Sequence, residues 1–203
     1  MTEYRRAYVL GGSWFFTVNL AGRKNNRLLV EKIDLLRSAF EYTQQRHPFR
    51  MDAVVILPDH LHCIWTLPQD DADFSTRWNL LKGYFSRHIA TGERVSASRK
   101  SRRERGLWQR RFWEHLLRDQ NDFNRHVDYI HWNPVKHGWA KSVRDWPYSS
   151  FHRYVERGFY PEHWGNDEGY DIEGLWNDRF DAPPCGRHIL PDCCGSTIDL
   201  TVG

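Results

Sequence analysis

The chain has 203 residues, 40% of them hydrophobic and 15% aromatic, with 10 Trp, a formal net charge of +3 and a mean hydropathy of −0.74. Such a length supports one domain with a full core plus an appendage, and no apolar run long enough to span a membrane is present. The N-terminus has no signal-peptide pattern and the four cysteines form no CxxC, so a cytoplasmic, reducing location is expected and the cysteines, which show no metal-site pattern, are assigned no function.

Residues 5–12 (RRAYVLGG) open the chain with two guanidinium groups, a ring and two glycines. Such a segment can clamp phosphates and stack on unpaired bases, or be a frayed terminus. Residues 14–20 (WFFTVNL) are aromatic and β-branched and read as a strand. Residues 28–46 place apolar side chains near helical period and predict a helix. Residues 51–57 and 60–67 are strand-like runs joined by the turn pair Pro58-Asp59, which makes them a hairpin. Residues 78–90 predict a second helix, and residues 94–105 (RVSASRKSRRER) a mobile basic stretch. Residues 111–117 (RFWEHLL) predict a fourth strand, with Phe112 and Glu114 on one face and Trp113 and His115 on the other. A helix over 121–131 is expected to stop at Asn133-Pro134, followed by loops and a short final helix before 154. The order β-α-β-β-α-β followed by helices is an α+β, ferredoxin-like (split βαβ) pattern. It predicts a four-stranded antiparallel sheet with helices on one face plus a C-terminal helix that bears Tyr129. From about residue 165 the chain turns rich in Gly, Pro and acids, and reads as an extended or disordered tail.

Charge is unevenly spread. Residues 162–203 carry a net of −7, and the first 161 residues +10. Residues 77–111 alone hold eleven Lys or Arg against two Glu, interleaved with Trp78, Tyr84, Phe85 and Trp108. That block is a candidate phosphate-backbone surface, or a solvated linker.

Strand period places His60 and His62 on one face and Leu61 on the other, so the two imidazoles could chelate one divalent cation. Taken alone, His-x-His also fits two ordinary histidines. Tyr129 and Asn133, four residues apart, share one helix face. An Asn133 amide oxygen could complete a three-point metal site, with Tyr129 as nucleophile toward a polarised phosphodiester. Taken alone, Tyr129 reads better as a core aromatic packing the helix on the sheet.

Four blocks occur in order: PDHLHCIW (58–65), WQRRFWEHLLRD (108–119), YIHWNPVKHGW (129–139) and DWPYSSFHRY (145–154). Together they resemble the REP-associated tyrosine transposases, a branch of the single-tyrosine HUH endonucleases and transposases. The resemblance runs from about Tyr4 to Trp164 and makes residues 1–164 the HUH nuclease domain, leaving 165–203 as an acidic tail unlike anything in the family. It implies that His60 and His62 are metal ligands, that Asn133 is the third ligand, that Tyr129 is the nucleophile, and that the ion is Mg²⁺ or Mn²⁺. His115 and His126 are weighed as active-site support, with structural roles as the alternative. Arg5, Arg6, Lys82, Arg87, Arg102, Arg103, Arg110 and Arg111 are the expected DNA contacts. The implied activity is metal-dependent cleavage and rejoining of single-stranded DNA beside REP-type hairpins, through a 5′-phosphotyrosine intermediate. The implied protein is monomeric, with a dimer as the alternative, and works in the cytoplasm at the nucleoid. Two other readings stand beside it: a domesticated hairpin binder that no longer cuts, and a metal-dependent hydrolase in which water attacks.

Overall fold

The computed structural model describes residues 7–91, 95, 97–101 and 105–165. They fall into two units, one drawn from Met1–Asp52 and Ile56–Leu116, the other from Ala53–Val55 and Leu117–Gly203. No helix of the described residues is long and apolar enough to cross a membrane.

The structure contains a sheet of β1 (Ser13–Asn19), β2 (Arg50–Ile56), β3 (His60–Thr66) and β4 (Trp113–Leu116), in the order β2-β3-β1-β4, all of it in the first unit except Ala53–Val55 of β2. β1 runs antiparallel to both β3 and β4. This is the expected α+β, ferredoxin-like sheet. Alternation along β1 divides the side chains cleanly. Phe16 points to the helical face, meeting Trp65 of β3 at 5.0 Å and Trp78 at 5.4 Å between ring centroids. Trp65 and Trp78 stack at 4.1 Å, with Phe49 at 4.1 Å and Phe40 at 6.4 Å completing an aromatic core. Phe40 comes from α2 (Ile33–Arg46) and Trp78 from α3 (Phe74–Arg87), so these two helices cover that face. Phe15 and Thr17 turn to the opposite face.

The helix expected over 28–46 is interrupted. A single turn, α1 (Leu28–Glu31), is tied by the Leu29 N–H to the Pro58 carbonyl at 3.1 Å, and Lys32 departs to ψ 37° before α2 begins. α3 starts four residues earlier than expected because the Asp73 carboxylate caps it, accepting the Thr76 N–H at 2.9 Å. The basic stretch contains a short helix, α4 (Ala97–Ser101).

The second unit contains α5 (Gln120–Lys136), a 3₁₀ turn (Val143–Asp145) and α6 (Phe151–Glu156). The expected stop at Asn133-Pro134 is corrected: α5 runs through Pro134. A proline this near a C-terminus forfeits only the bond to the Ile130 carbonyl. The His137 N–H still closes the last turn on the Asn133 carbonyl at 3.1 Å. Ser150 connects α6 to the β2 residues of this unit. Its N–H donates to the Val54 carbonyl at 2.8 Å and its Oγ accepts the Val54 N–H at 2.9 Å.

Candidate active site

His60 and His62 are buried on one face of β3, with ring centroids 5.0 Å apart and planes at 89°. Leu61 between them is buried on the other side, as period two requires. Each ring is oriented through Nδ1. His60 Nδ1 lies 2.6 Å from Asp59 Oδ1, and a carboxylate acceptor requires the proton to sit on that nitrogen. Arg23 Nε donates to the other Asp59 oxygen at 2.6 Å. Burial opposes the Asp59 charge, but the bonds from His60 and Arg23 outweigh it and hold the carboxyl below its ordinary range. His62 Nδ1 lies 2.9 Å from Thr17 Oγ1, its direct cross-strand neighbour, and the ring stacks on Phe15 at 5.6 Å. With both Nδ1 atoms engaged, Nε2 is the nitrogen through which each imidazole could hold a metal ion. Such outer partners fix the ring angle of a metal-ligating imidazole, and at His60 the acceptor-only Asp59 carboxylate fixes the tautomer as well.

The face of the sheet that carries the pair continues onto β4. Thr17 faces Trp113 and Phe15 faces His115, so His115 shares the face of His62 and Glu114 lies on the other, buried. Trp113 is 49% exposed, and its ring is parallel to His115 within 4° at 5.8 Å.

In the second unit, α5 is capped by Asp119, whose carboxylate accepts the Asp122 N–H at 2.8 Å. Its buried stripe includes Phe123, Val127, Ile130 and Pro134. Tyr129 is only partly buried, with the fully buried Asn133 one turn on. Burial pushes the Tyr129 hydroxyl above its ordinary value, and the Asn133 amide acts against that shift. Neither amide atom of Asn133 meets full hydrogen-bond geometry with a described residue. The Lys136 ammonium lies 5.2 Å from the Tyr129 ring centroid.

Residues flanking Tyr129 anchor the helix. Asp128 accepts a hydrogen bond from the Tyr160 hydroxyl, and burial raises its carboxyl to about 6 despite that bond. His131 Nε2 lies 2.8 Å from Ser150 Oγ. His126 is buried, with Nδ1 2.7 Å from the Asp122 carbonyl.

No family model matches the sequence. A REP-associated tyrosine transposase of Escherichia coli (strain K12) is 48% identical over 167 residues, covering 82% of this chain and 93% of that protein. The chain belongs to the REP-associated tyrosine transposases. A second relative, from Haemophilus influenzae, is 45% identical over 175 residues, which is 86% of this chain and 99% of that one. A solved structure of a family member bound to a REP hairpin superposes with a TM-score of 0.70 at 43% identity, covering 94% of this chain and 99% of its own.

Within this family frame, the structure brings the expected residues together in pairs. His60 and His62 belong to the first unit, with His115 on the same sheet face. Tyr129 and Asn133 belong to the second, with His126 three residues before Tyr129 on the same helix. Arg5, Arg6, Arg102 and Arg103 lie outside the described residues, as does the tail beyond 165. Arg87, Arg110 and Arg111 are exposed, and Arg110 also reaches Ser98 Oγ at 3.0 Å. Lys82 turns inward, donating to the Gln109 carbonyl at 3.2 Å with its ammonium over Phe112. Of the aromatics interleaved in the basic block, Trp78 and Phe85 are fully buried and Trp108 nearly so, which assigns these three to the core, whereas Tyr84 is half-buried. The glycines of the N-terminal stretch serve the fold. Gly11 at φ +66° packs so closely on Gln69 that a Cβ would meet its Cα at 3.1 Å, while Tyr8 is 80% exposed.

Asp59 and Thr17, which orient the two imidazoles, were missed in the sequence. Asp59 carries a signal, a carboxylate directly preceding His60, but the Pro58-Asp59 pair reads as a turn. Thr17 had none, since its partner lies 45 residues away.

Proposed function

We propose that the chain cleaves and rejoins single-stranded DNA beside REP-type hairpins, with Tyr129 as nucleophile. His60 and His62 would hold a divalent ion, Mg²⁺ or Mn²⁺, through Nε2, with the Asn133 amide oxygen as a third ligand. Two buried imidazoles with engaged Nδ1 atoms, plus an amide oxygen, suit such an ion chemically. When bound, the ion would neutralise charge developing on the phosphate under attack.

The chain's own part is a balanced transesterification. Tyr129 Oη loses its proton and forms a bond to phosphorus. The bond from phosphorus to the 3′-oxygen breaks, and that oxygen takes up a proton. The products are a 5′-phosphotyrosine and a 3′-OH, and attack by a 3′-OH on the phosphotyrosine reverses the step to rejoin strands. A phenol is already neutral near pH 7 and burial raises the Tyr129 hydroxyl further, so its proton must leave as the oxygen attacks. The Lys136 ammonium over its ring favours the developing phenolate. The anchors from Asp128 and His131 fix the rotation of α5, and with it the direction of Tyr129.

The observation that carries this reading is the buried, Nδ1-oriented His60–His62 pair in a chain that spans nearly all of a transposase relative. Incubation with a hairpin oligonucleotide bearing a single-stranded flank tests it. Metal-dependent scission in that flank, abolished by chelator and by His62→Ala, is expected. Scission that persists in chelator would overturn it.

A further inference from the structure

Trp113 is the one large aromatic of the described sheet residues that stays half exposed. Sheet pairing puts it in one cross-strand row with Thr17 and His62, two strands from the histidine. That separation is about 10 Å between backbones. Its indole lies parallel to His115 and is propped edge-on by Phe15 at 5.6 Å, and Phe15 in turn stacks on His62. The ring is thus held on a rigid strand, at fixed tilt, beside the histidine pair. Leaving an indole face in water forfeits the burial that a Trp ordinarily obtains.

We propose that Trp113 is a stacking platform for one unpaired base of the substrate strand, next to the cleaved bond or one nucleotide removed. The inference rests on the reading of the chain as a single-strand nuclease, and adds a residue that positions the strand. A flat π-face accepts any base, so Trp113 fixes the strand's path without dictating its sequence. The ~10 Å offset from His62 matches the reach from a phosphate at the histidine pair to a base one or two positions along. Phe15 and His115 define the ring's plane and act through Trp113 rather than on the DNA.

The test pairs protein and substrate changes. Affinity is measured for a hairpin with a single-stranded flank in which each flank base in turn is replaced by an abasic site, using wild-type protein and Trp113→Leu. At one position the abasic site should weaken wild-type binding about tenfold, and Trp113→Leu should then add no further loss, because both remove the same stack. Binding of the bare stem should be unchanged. Additive losses at every position, or equal losses on stem and flank, would overturn the proposal. Photocrosslinking of wild-type protein to flanks carrying 5-iododeoxyuridine gives a readout that does not depend on the variant's folding. An adduct on the peptide containing Trp113 is expected, and its absence at every position would count against the platform. Wild-type cleavage measured alongside separates the two claims: coupling without cleavage would preserve the platform and sink the nuclease reading.

Discussion

Asp59 and His60, adjacent in sequence, are bonded side chain to side chain, Oδ1 to Nδ1 at 2.6 Å, while Arg23 holds the second carboxylate oxygen. The carboxylate therefore sets the tautomer of a proposed metal ligand and stays ionised to do so. Asp59→Asn should lower apparent Mn²⁺ affinity in the cleavage assay by about 10–100-fold while leaving the rate at saturating metal largely restored. An unchanged metal dependence would show that His60 needs no outer partner.

Asp128 gives a stability prediction. Its carboxyl, buried beneath Tyr160, is raised to about 6 from an ordinary 3.8. The folded state therefore holds this proton more tightly than the unfolded one. The sign follows: the group's favourable contribution is complete below about 4 and is lost as pH rises through 6. Two units correspond to about 3 kcal/mol. Asp128→Asn, which keeps an oxygen for the Tyr160 hydroxyl, should melt higher than wild type at pH 8, and the difference should vanish toward pH 4. A difference that is flat with pH would mean that Asp128 is not a buried charge at neutral pH.

Much of the fold was legible because period two is a local property. The alternation WFFTVNL places Phe16 against the helices and Thr17 opposite, and HLH sets both imidazoles on one face, as observed. Charge counting could not tell which side of α3 its aromatics occupy. Trp78 and Phe85 lie on the helix's buried stripe with Arg77, whose guanidinium is itself buried against the His47 and Pro48 carbonyls. Nor could local rules foresee α5 passing through Pro134, since the lost bond there is small beside the burial of Ile130 and Asn133. Pairs such as Thr17–His62 and Asp128–Tyr160 depend on register and on returns of the chain, which no local pattern encodes.

Binding should weaken steeply with salt. Arg87, Arg110 and Arg111 are exposed cations of the basic block. Release of about five counterions from a single strand gives a log–log slope near −3.5. Charge-reversing Arg111→Glu should make the slope shallower by about one, whereas Lys82→Gln, at an inward-turned residue, should act through stability. Identical slopes for wild type and Arg111→Glu would remove Arg111 from the phosphate contacts.

The central claim is that Tyr129 becomes covalently joined to DNA. The direct measurement uses a hairpin oligonucleotide labelled on the 5′-phosphate side of the cleaved bond, incubated with Mn²⁺ and resolved under denaturing conditions. A labelled protein adduct that maps by mass to the peptide containing Tyr129 is expected. It should be lost in Tyr129→Phe, while hairpin affinity stays within about threefold, since one hydroxyl adds little to binding. Cleavage without an adduct, or an adduct that survives in Tyr129→Phe, would contradict it.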